Sequence, residues 1–207
     1  MTAPPDEAKR ALRRAMKSTL ASMGAPALAQ ASARVTETLL AREEVTRARA
    51  VLAFYPIEHE IDLRPLVATL LARGVRVALP RVEWASRQMS AIELASPADV
   101  APVRVGPVRV GAGGPVTLLE PAGNREIGPE ALDLVLVPGL AFDALGGRLG
   151  RGAGFYDRFL GGCVAARHVG VGLDAQVVEA VPMGPGDVPL HAVVTDRRWI
   201  PVQTRSA

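Results

Sequence analysis

LVLVPGLAFDALGGRLGRGAGFYDRFL, from Leu134 to Leu160, is the stretch on which the reading of this chain turns. Leu134 to Val137 is apolar and β-branched between Asp133 and Pro138, the pattern of a strand buried on both faces. A Pro-Gly turn follows, then a loop carrying Gly146, Gly147, Gly150, Gly152 and Gly154 together with Arg148 and Arg151. Glycine at this density is too costly in chain entropy for a regular helix. It does let backbone N–H groups approach a ligand closely. The two guanidinium groups add bidentate donors that match phosphate oxygens. Phe155, Phe159 and Leu160 then recur at helical spacing, which predicts a helix from about Gly154, and a helix N-terminus favours anions. Asp157 falls in its first turn, where a carboxylate suits the dipole and could hold a metal ion. The loop is neither of the two common nucleotide fingerprints: no Lys-Ser or Lys-Thr follows a glycine, and the alternation of Gly150, Gly152 and Gly154 breaks the G-x-G-x-x-G spacing. The competing reading is a solvated turn with ordinary surface arginines.

Outward from this segment, the pattern is one of strands alternating with helices. A helix is expected over about residues 6 to 22, with Ala8, Leu12, Ala15, Met16 and Leu20 as its apolar stripe, and Pro26 opens a second with Leu28, Ala31, Val35 and Leu39 on one face. Ala50 to Tyr55 reads as a buried strand. Asp62 is placed to cap a helix from Leu63 to Arg73, which Gly74 ends, and Val75 to Leu79 reads as a strand stopped by Pro80. That β-α-β unit implies parallel strands. Met89 to Leu94 and Val169 to Leu173 are further strands, Gln176 to Ala180 a short helix and Ala192 to Thr195 a late strand, with Trp199 and Ile200 at the sheet edge. Residues 95 to 130 read as irregular. There Pro102-Val-Arg-Val-Gly106 is repeated at once as Pro107-Val-Arg-Val-Gly111, too short a unit for a solenoid. It reads as a loop insertion over residues 101 to 115 with little chemistry. The expected fold is α/β and layered, a mostly parallel sheet flanked by helices, formed as one domain over residues 1 to 207. Ligands in such sheets bind beyond the carboxyl ends of strands, where the loop after Val137 lies.

Composition narrows the function. With 207 residues, 49% of them hydrophobic, the chain can bury a full core. It holds no run of 18 apolar residues, and its first residues lack the apolar stretch of a signal peptide. The single Cys163 fits a reducing cytoplasm, and with three histidines (His59, His168, His191) beside it a zinc site is not expected. The net charge is +3, with Lys9, Arg10, Arg13, Arg14 and Lys17 clustered near the start, which raises nucleic-acid binding. Aromatic content of 4% is too low for a stacking platform, so no nucleic-acid partner is expected. Only Lys9 and Lys17 are lysines among 24 basic residues, so Lys9 stands out as a lysine kept against the bias of the chain. Tyr55-Pro-Ile-Glu-His-Glu-Ile-Asp62 follows the first strand. Its acidic residues could hold a metal, grip an amino-bearing heterocycle or cap the next helix. The cap is preferred for Asp62, and Glu60 could pair with ring N–H groups of a pterin-like substrate. His59 reads as a surface residue and Asp187 as a turn residue in Gly-Pro-Gly-Asp-Val-Pro.

In order and spacing, Lys9-Arg-Ala-Leu-Arg13, Tyr55 to Asp62, Pro138-Gly-Leu-Ala-Phe-Asp143, Arg148 to Asp157, Val181-Pro and Asp187-Val-Pro together resemble the 5-formyltetrahydrofolate cyclo-ligase (5,10-methenyltetrahydrofolate synthetase) family over nearly the whole chain. The resemblance implies an ATP- and Mg²⁺-dependent ring closure. The formyl oxygen on nitrogen-5 of the reduced folate attacks the γ-phosphate, nitrogen-10 attacks the activated carbon, and phosphate leaves. By similarity, Lys9, Arg10, Ala11, Leu12 and Arg13, with Arg148, Leu149, Gly150, Arg151, Gly152, Ala153, Gly154, Phe155 and Tyr156, contact ATP. Tyr55, Glu60 and Met89 contact the folate, with Arg151 to Phe155 also near it. Asp157 and Asp187 hold Mg²⁺, and Arg148, Arg151 and Tyr156 act on the reacting groups. It further implies a cytoplasmic monomer whose substrate is 5-formyltetrahydrofolate, with or without a polyglutamate tail, and no membrane partner. Phe155 stands where tyrosine is often found, which removes one hydroxyl but keeps the aromatic surface, and His191 stands where an acidic residue is common, with no expected loss of catalysis. Two alternatives share these features: a non-catalytic relative that binds nucleotide or RNA, and a protein that shares only the layered fold with sugar-phosphate isomerases and CoA transferases.

Overall fold

The computed structural model describes residues 5–109 and 115–202. Its centre is a sheet in the order β12-β11-β10-β7-β1-β2-β3-β6. The five middle strands, β11 (Ala192–Val194), β10 (Arg167–Val171), β7 (Leu134–Pro138), β1 (Ala50–Leu52) and β2 (Arg76–Glu83), run parallel. β12 (Trp199–Pro201), β3 (Gln88–Glu93) and β6 (Glu126–Ile127) add antiparallel margins. The buried run read from Leu134 is thus the middle of the sheet. Its side chains divide by the period of two: Leu134 and Leu136 join one core and Val135 and Val137 the other. The first core packs against α1 (Pro5–Ala21), α2 (Ala25–Leu40) and α4 (Arg64–Ala72) through residues such as Leu20, Val35, Leu39 and Leu66. The second packs under α5 (Phe155–Leu160) and Phe142. A single turn, α3 (Glu43–Thr46), links α2 to β1. No helix of the described residues is long and apolar enough to cross a membrane.

Four local readings change. α4 starts at Arg64 with Leu63 as its N-cap, so Asp62 is not the cap residue; its carboxylate instead accepts the Arg64 backbone N–H at 2.9 Å and clasps the Arg64 guanidinium. β2 runs through Pro80 to Glu83. Beyond Ala78 it has no partner on the β1 side, and a proline is tolerated in such an edge-like stretch. The turn after β10 is a 3₁₀ helix at Asp174–Gln176 rather than an α-helix from Gln176 to Ala180. The largest change is in residues 95 to 130. The repeat is not an irregular loop there: β4 (Val100–Arg109) and β5 (Pro115–Pro121) form a two-stranded antiparallel ribbon, with residues 110–114 outside the described residues. Val-Arg-Val alternates with a period of two, and this pattern prevails over the flanking Pro and Gly. Glu120, buried in β5, accepts the Val82 N–H at 3.2 Å, and Arg81 donates to the carbonyls of Pro121 and Gly123, so the foot of the ribbon is fastened to β2.

Candidate active site

A cavity of about 640 Å³ opens beyond the carboxyl ends of β1 and β7, where the switch-point rule for open α/β sheets places ligands. Three parts of the chain build its polar half. After β7, Asp143 is buried and its carboxylate accepts the N–H groups of Leu145, Gly147 and Val181 at 2.7 to 2.9 Å. These bonds fold the turn that returns the chain as β9 (Arg148–Leu149) against β8 (Ala141–Phe142). Gly146 completes that turn at φ +86°, with the Leu190 carbonyl 2.6 Å from where a Cβ would stand. From β9 the backbone passes Gly150 to Gly154 and enters α5, with Gly154 as a left-handed N-cap at φ +71°.

Each cation along this path already has an anionic or carbonyl partner. Arg148, with a side chain only 3% exposed, donates to Asp157 Oδ1 at 2.8 Å. Arg151 donates through Nε and Nη2 to Glu60 Oε1 at 3.1 and 3.0 Å, and Glu60 also accepts the Ile57 N–H at 3.2 Å. From α1, Lys9 is paired with Asp187 and Arg13 Nε donates to the Gly150 carbonyl at 3.0 Å. Lys9 and Arg13 are one helical turn apart and share the face turned to the cavity. Arg10 and Ala11 are exposed and Leu12 packs on the core, so none of these three lines the cavity. Burial alone would push the Asp187 carboxyl up; the Lys9 ammonium, the Gly184 N–H and the Arg148 charge outweigh it and hold the group below the usual carboxylate value. Asp157 also lies 3.5 Å from the Val188 N–H, which brings Asp157 and Asp187 to one end of the cavity. No group of three or more His, Cys, Asp or Glu suited to a metal is found among the described residues. Two carboxylates fit Mg²⁺ nonetheless, because that ion commonly takes one or two from the protein and the rest of its shell from phosphate and water.

The other half of the cavity is apolar. Phe155, Met89 and Tyr55, all expected, line it, together with Trp84, Val82 and Leu118, which the sequence reading did not select. Trp84 stands edge-on to Phe155, ring centres 4.8 Å apart. Leu118 comes from β5, so the ribbon read as chemically idle contributes a wall. The Tyr55 hydroxyl donates to the Pro97 carbonyl at 3.0 Å, and burial raises its pKa, with Arg64 opposing and Asp62 assisting. The Tyr156 hydroxyl is buried with no hydrogen-bond partner among the described residues; burial, then the negative charge of Glu60, raise its pKa against the opposing pull of Arg148, so it stays protonated as a donor. His59 lies beside Glu58 at 3.4 Å and does not line the cavity. His191 accepts the His168 backbone N–H at 2.9 Å, away from the cavity.

A layered α/β sheet whose carboxyl edge combines bare glycine backbone, arginines, carboxylates and an aromatic wall is the framework of an enzyme acting on an anionic, ring-bearing substrate. The 5-formyltetrahydrofolate cyclo-ligase family matches residues 5–196, and the chain belongs to that family, an enzyme of the ligase class. It is 36% identical to the 5-formyltetrahydrofolate cyclo-ligase of Mycolicibacterium smegmatis, over 73% of this chain and 76% of that one. It is 25% identical to the mouse cyclo-ligase over 91% and 94%. Among solved structures, the 5,10-methenyltetrahydrofolate synthetase of Aquifex aeolicus superimposes with a TM-score of 0.78 at 30% identity, covering 96% of this chain and 95% of that one.

Proposed function

We propose that this protein closes 5-formyltetrahydrofolate to 5,10-methenyltetrahydrofolate at the expense of ATP, releasing ADP and phosphate. The observation that carries the reading is the meeting, in one cavity, of a glycine-arginine loop with an aromatic pocket through the Arg151–Glu60 pair. A phosphate oxygen and a ring N–H are the natural partners of that cation and that carboxylate, and the pair sets them side by side. The formyl oxygen attacks the γ-phosphorus and the bond to the ADP oxygen breaks. Nitrogen-10 then attacks the formyl carbon and gives up its proton, the carbon–oxygen bond breaks, and phosphate departs taking that proton. Such chemistry needs positioning and charge neutralisation more than a strong acid or base. Arg148, Arg151 and Lys9 supply positive charge, the backbone from Gly150 to Gly154 supplies N–H donors, and the Tyr156 hydroxyl supplies a neutral donor. Tyr55, Glu60 and Met89 hold the pterin side. Asp157 and Asp187 would hold Mg²⁺, which supplies further neutralisation of phosphate charge.

We take a monomer as the working unit and a single domain, built on one central sheet, as its carrier. A cytoplasmic setting agrees with the lone Cys163, buried, its thiol pushed up to about 11 by burial first and the Glu130 charge second. The direct test mixes the protein with 5-formyltetrahydrofolate, Mg²⁺ and ATP and follows the near-ultraviolet band of the methenyl product. Its appearance only with all three supports the reading. Bound nucleotide with no product, under conditions where both ligands bind, would refute it in favour of a binding protein.

A further inference from the structure

Arg158 does not line the cavity, and its side chain is exposed. Its donors nevertheless join two elements that do. Nε donates at 2.8 Å to the carbonyl of Arg87, at the tip of the β2–β3 hairpin, and Nη2 donates at 2.8 Å to the carbonyl of Ala153, in the glycine loop. The same guanidinium stands 5.9 Å from the centre of the Phe155 ring. The backbone makes room on both sides. A Cβ at Gly154 would stand 2.9 Å from Arg158 Nη1, so glycine is what lets the guanidinium fold back over the loop. Arg87 adopts a left-handed φ of +54°, costly for a residue with a side chain, and it is the carbonyl of this residue that Arg158 holds.

On the cavity side of this tie stand the two rings. The β2–β3 ladder closes at the Glu83–Gln88 pair, so Trp84 to Arg87 lie beyond it. Within the tip the Ala85 N–H donates to the Glu83 carboxylate at 3.0 Å. The Trp84 Nε1 is shielded and has no hydrogen-bond partner among the described residues, so none of them fixes the indole by a polar contact. Its place depends on the Phe155 edge and on where the tip is held. Phe155 and Trp84 meet at 87° and form a corner suited to a flat ring.

We propose that Arg158 is a positioning residue that fastens the β2–β3 tip to the glycine loop, and that Trp84, held by it against Phe155, is a specificity-determining residue for a flat heteroaromatic ring. The ring-binding half rests on the functional reading above; the tie does not. The chain has two tryptophans, so Trp199→Phe leaves Trp84 as the sole reporter. In that background and without ligand, acrylamide quenching of Trp84 is compared between the parent and Arg158→Lys, which keeps the charge but lacks the fork that reaches two carbonyls. A larger quenching constant is expected, and an unchanged one overturns the tie. Calorimetry then measures 5-formyltetrahydrofolate and ADP separately with Arg158→Lys and with Trp84→Leu. Both variants should weaken the folate about tenfold and ADP by less than about twofold, with melting within a few degrees of the parent. Unchanged folate affinity, or equal losses for both ligands, overturns the specificity role. A parent protein that binds no folate at all refutes the functional reading and the role of Trp84 with it, while the quenching result still decides the tie.

Discussion

Replacing Asp157 with asparagine separates two demands that this carboxylate meets. Arg148 is almost wholly enclosed, and Asp157 is its counterion at 2.8 Å. The Arg148 guanidinium also donates to the Pro138 carbonyl at 3.3 Å and lies over the Tyr156 ring, 5.7 Å from its centre, and its Nε has no hydrogen-bond partner among the described residues. An asparagine keeps an acceptor oxygen but removes the negative charge, leaving a buried guanidinium without its hydrogen-bonded counterion. Breaking a fully buried pair costs about 3–5 kcal/mol; Asp157 is 21% exposed, so water makes up part of the loss and about 2 kcal/mol is expected. For a chain of this length, that lowers Tm by roughly 4–8 °C. Nucleotide binding should move in the opposite direction when no metal is present. The carboxylate that repels phosphate is gone and Arg148 is released from its partner, so ADP binds more tightly in the presence of a chelator. With Mg²⁺ the parent gains affinity and the variant gains little, so the ratio of affinities with and without the ion falls by roughly tenfold or more. Thermal melting and calorimetry with ADP, each with chelator and with Mg²⁺, read all of this. An unchanged Tm would refute the buried-pair argument. An unchanged Mg²⁺ ratio would remove Asp157 from the metal site.

Three further outcomes are expected. Glu60→Gln removes the charge that holds Arg151 and faces the ring, so the Kd for 5-formyltetrahydrofolate should rise about tenfold while that for ADP changes less than about twofold; equal losses would contradict the assignment. Gly146→Ala forces a side chain into a left-handed backbone at φ +86° with the Leu190 carbonyl 2.6 Å away, and should cost about 2–3 kcal/mol, read as a fall in the urea midpoint; a parental midpoint would show that the turn relaxes freely. Acid should weaken the fold before carboxylates titrate. Burial first, with neighbouring charge for His191, holds His168 and His191 below the ordinary value of 6.5, so the unfolded chain binds more protons in this range. Stability is therefore fully present above that value and falls as the pH drops from about 6.5 towards 5; a urea midpoint that stays flat or rises over this window would contradict the sign.

What was legible in the sequence was local. Leu134 to Val137 announces a doubly buried strand because each residue is apolar, whichever face it takes, and glycine density from Gly146 to Gly154 excludes a helix without reference to the rest of the fold. The repeated Val-Arg-Val also carried its strand signal, but flanking Pro and Gly spoke against it, and only the foot of the ribbon on β2, through Glu120 and Arg81, decides between them. Trp84 offered a fainter signal: one of two tryptophans in a chain poor in aromatics, between the strand patterns at Val75 to Leu79 and Met89 to Leu94 and without a periodic partner. Its partner, Phe155, is 71 residues away, counted from the two residue numbers, and no local rule joins them. The same holds for charge. Residue type allowed Asp157 to be a helix-start carboxylate or a metal ligand, and nothing local pointed to an ion-pair partner. The structure adds that Arg148 is enclosed and that Asp157 is its counterion, while Asp187, 30 residues further on, holds Lys9 from the far end of the chain. The carboxylates chosen for metal neutralise the cations chosen for phosphate, Asp157 with Arg148 and Asp187 with Lys9. On the proposed function, nucleotide and metal binding would be coupled by charge: a phosphate that draws Arg148 or Lys9 away would leave a carboxylate in need of a cation, and a divalent ion on that carboxylate would free the cation that the phosphate needs.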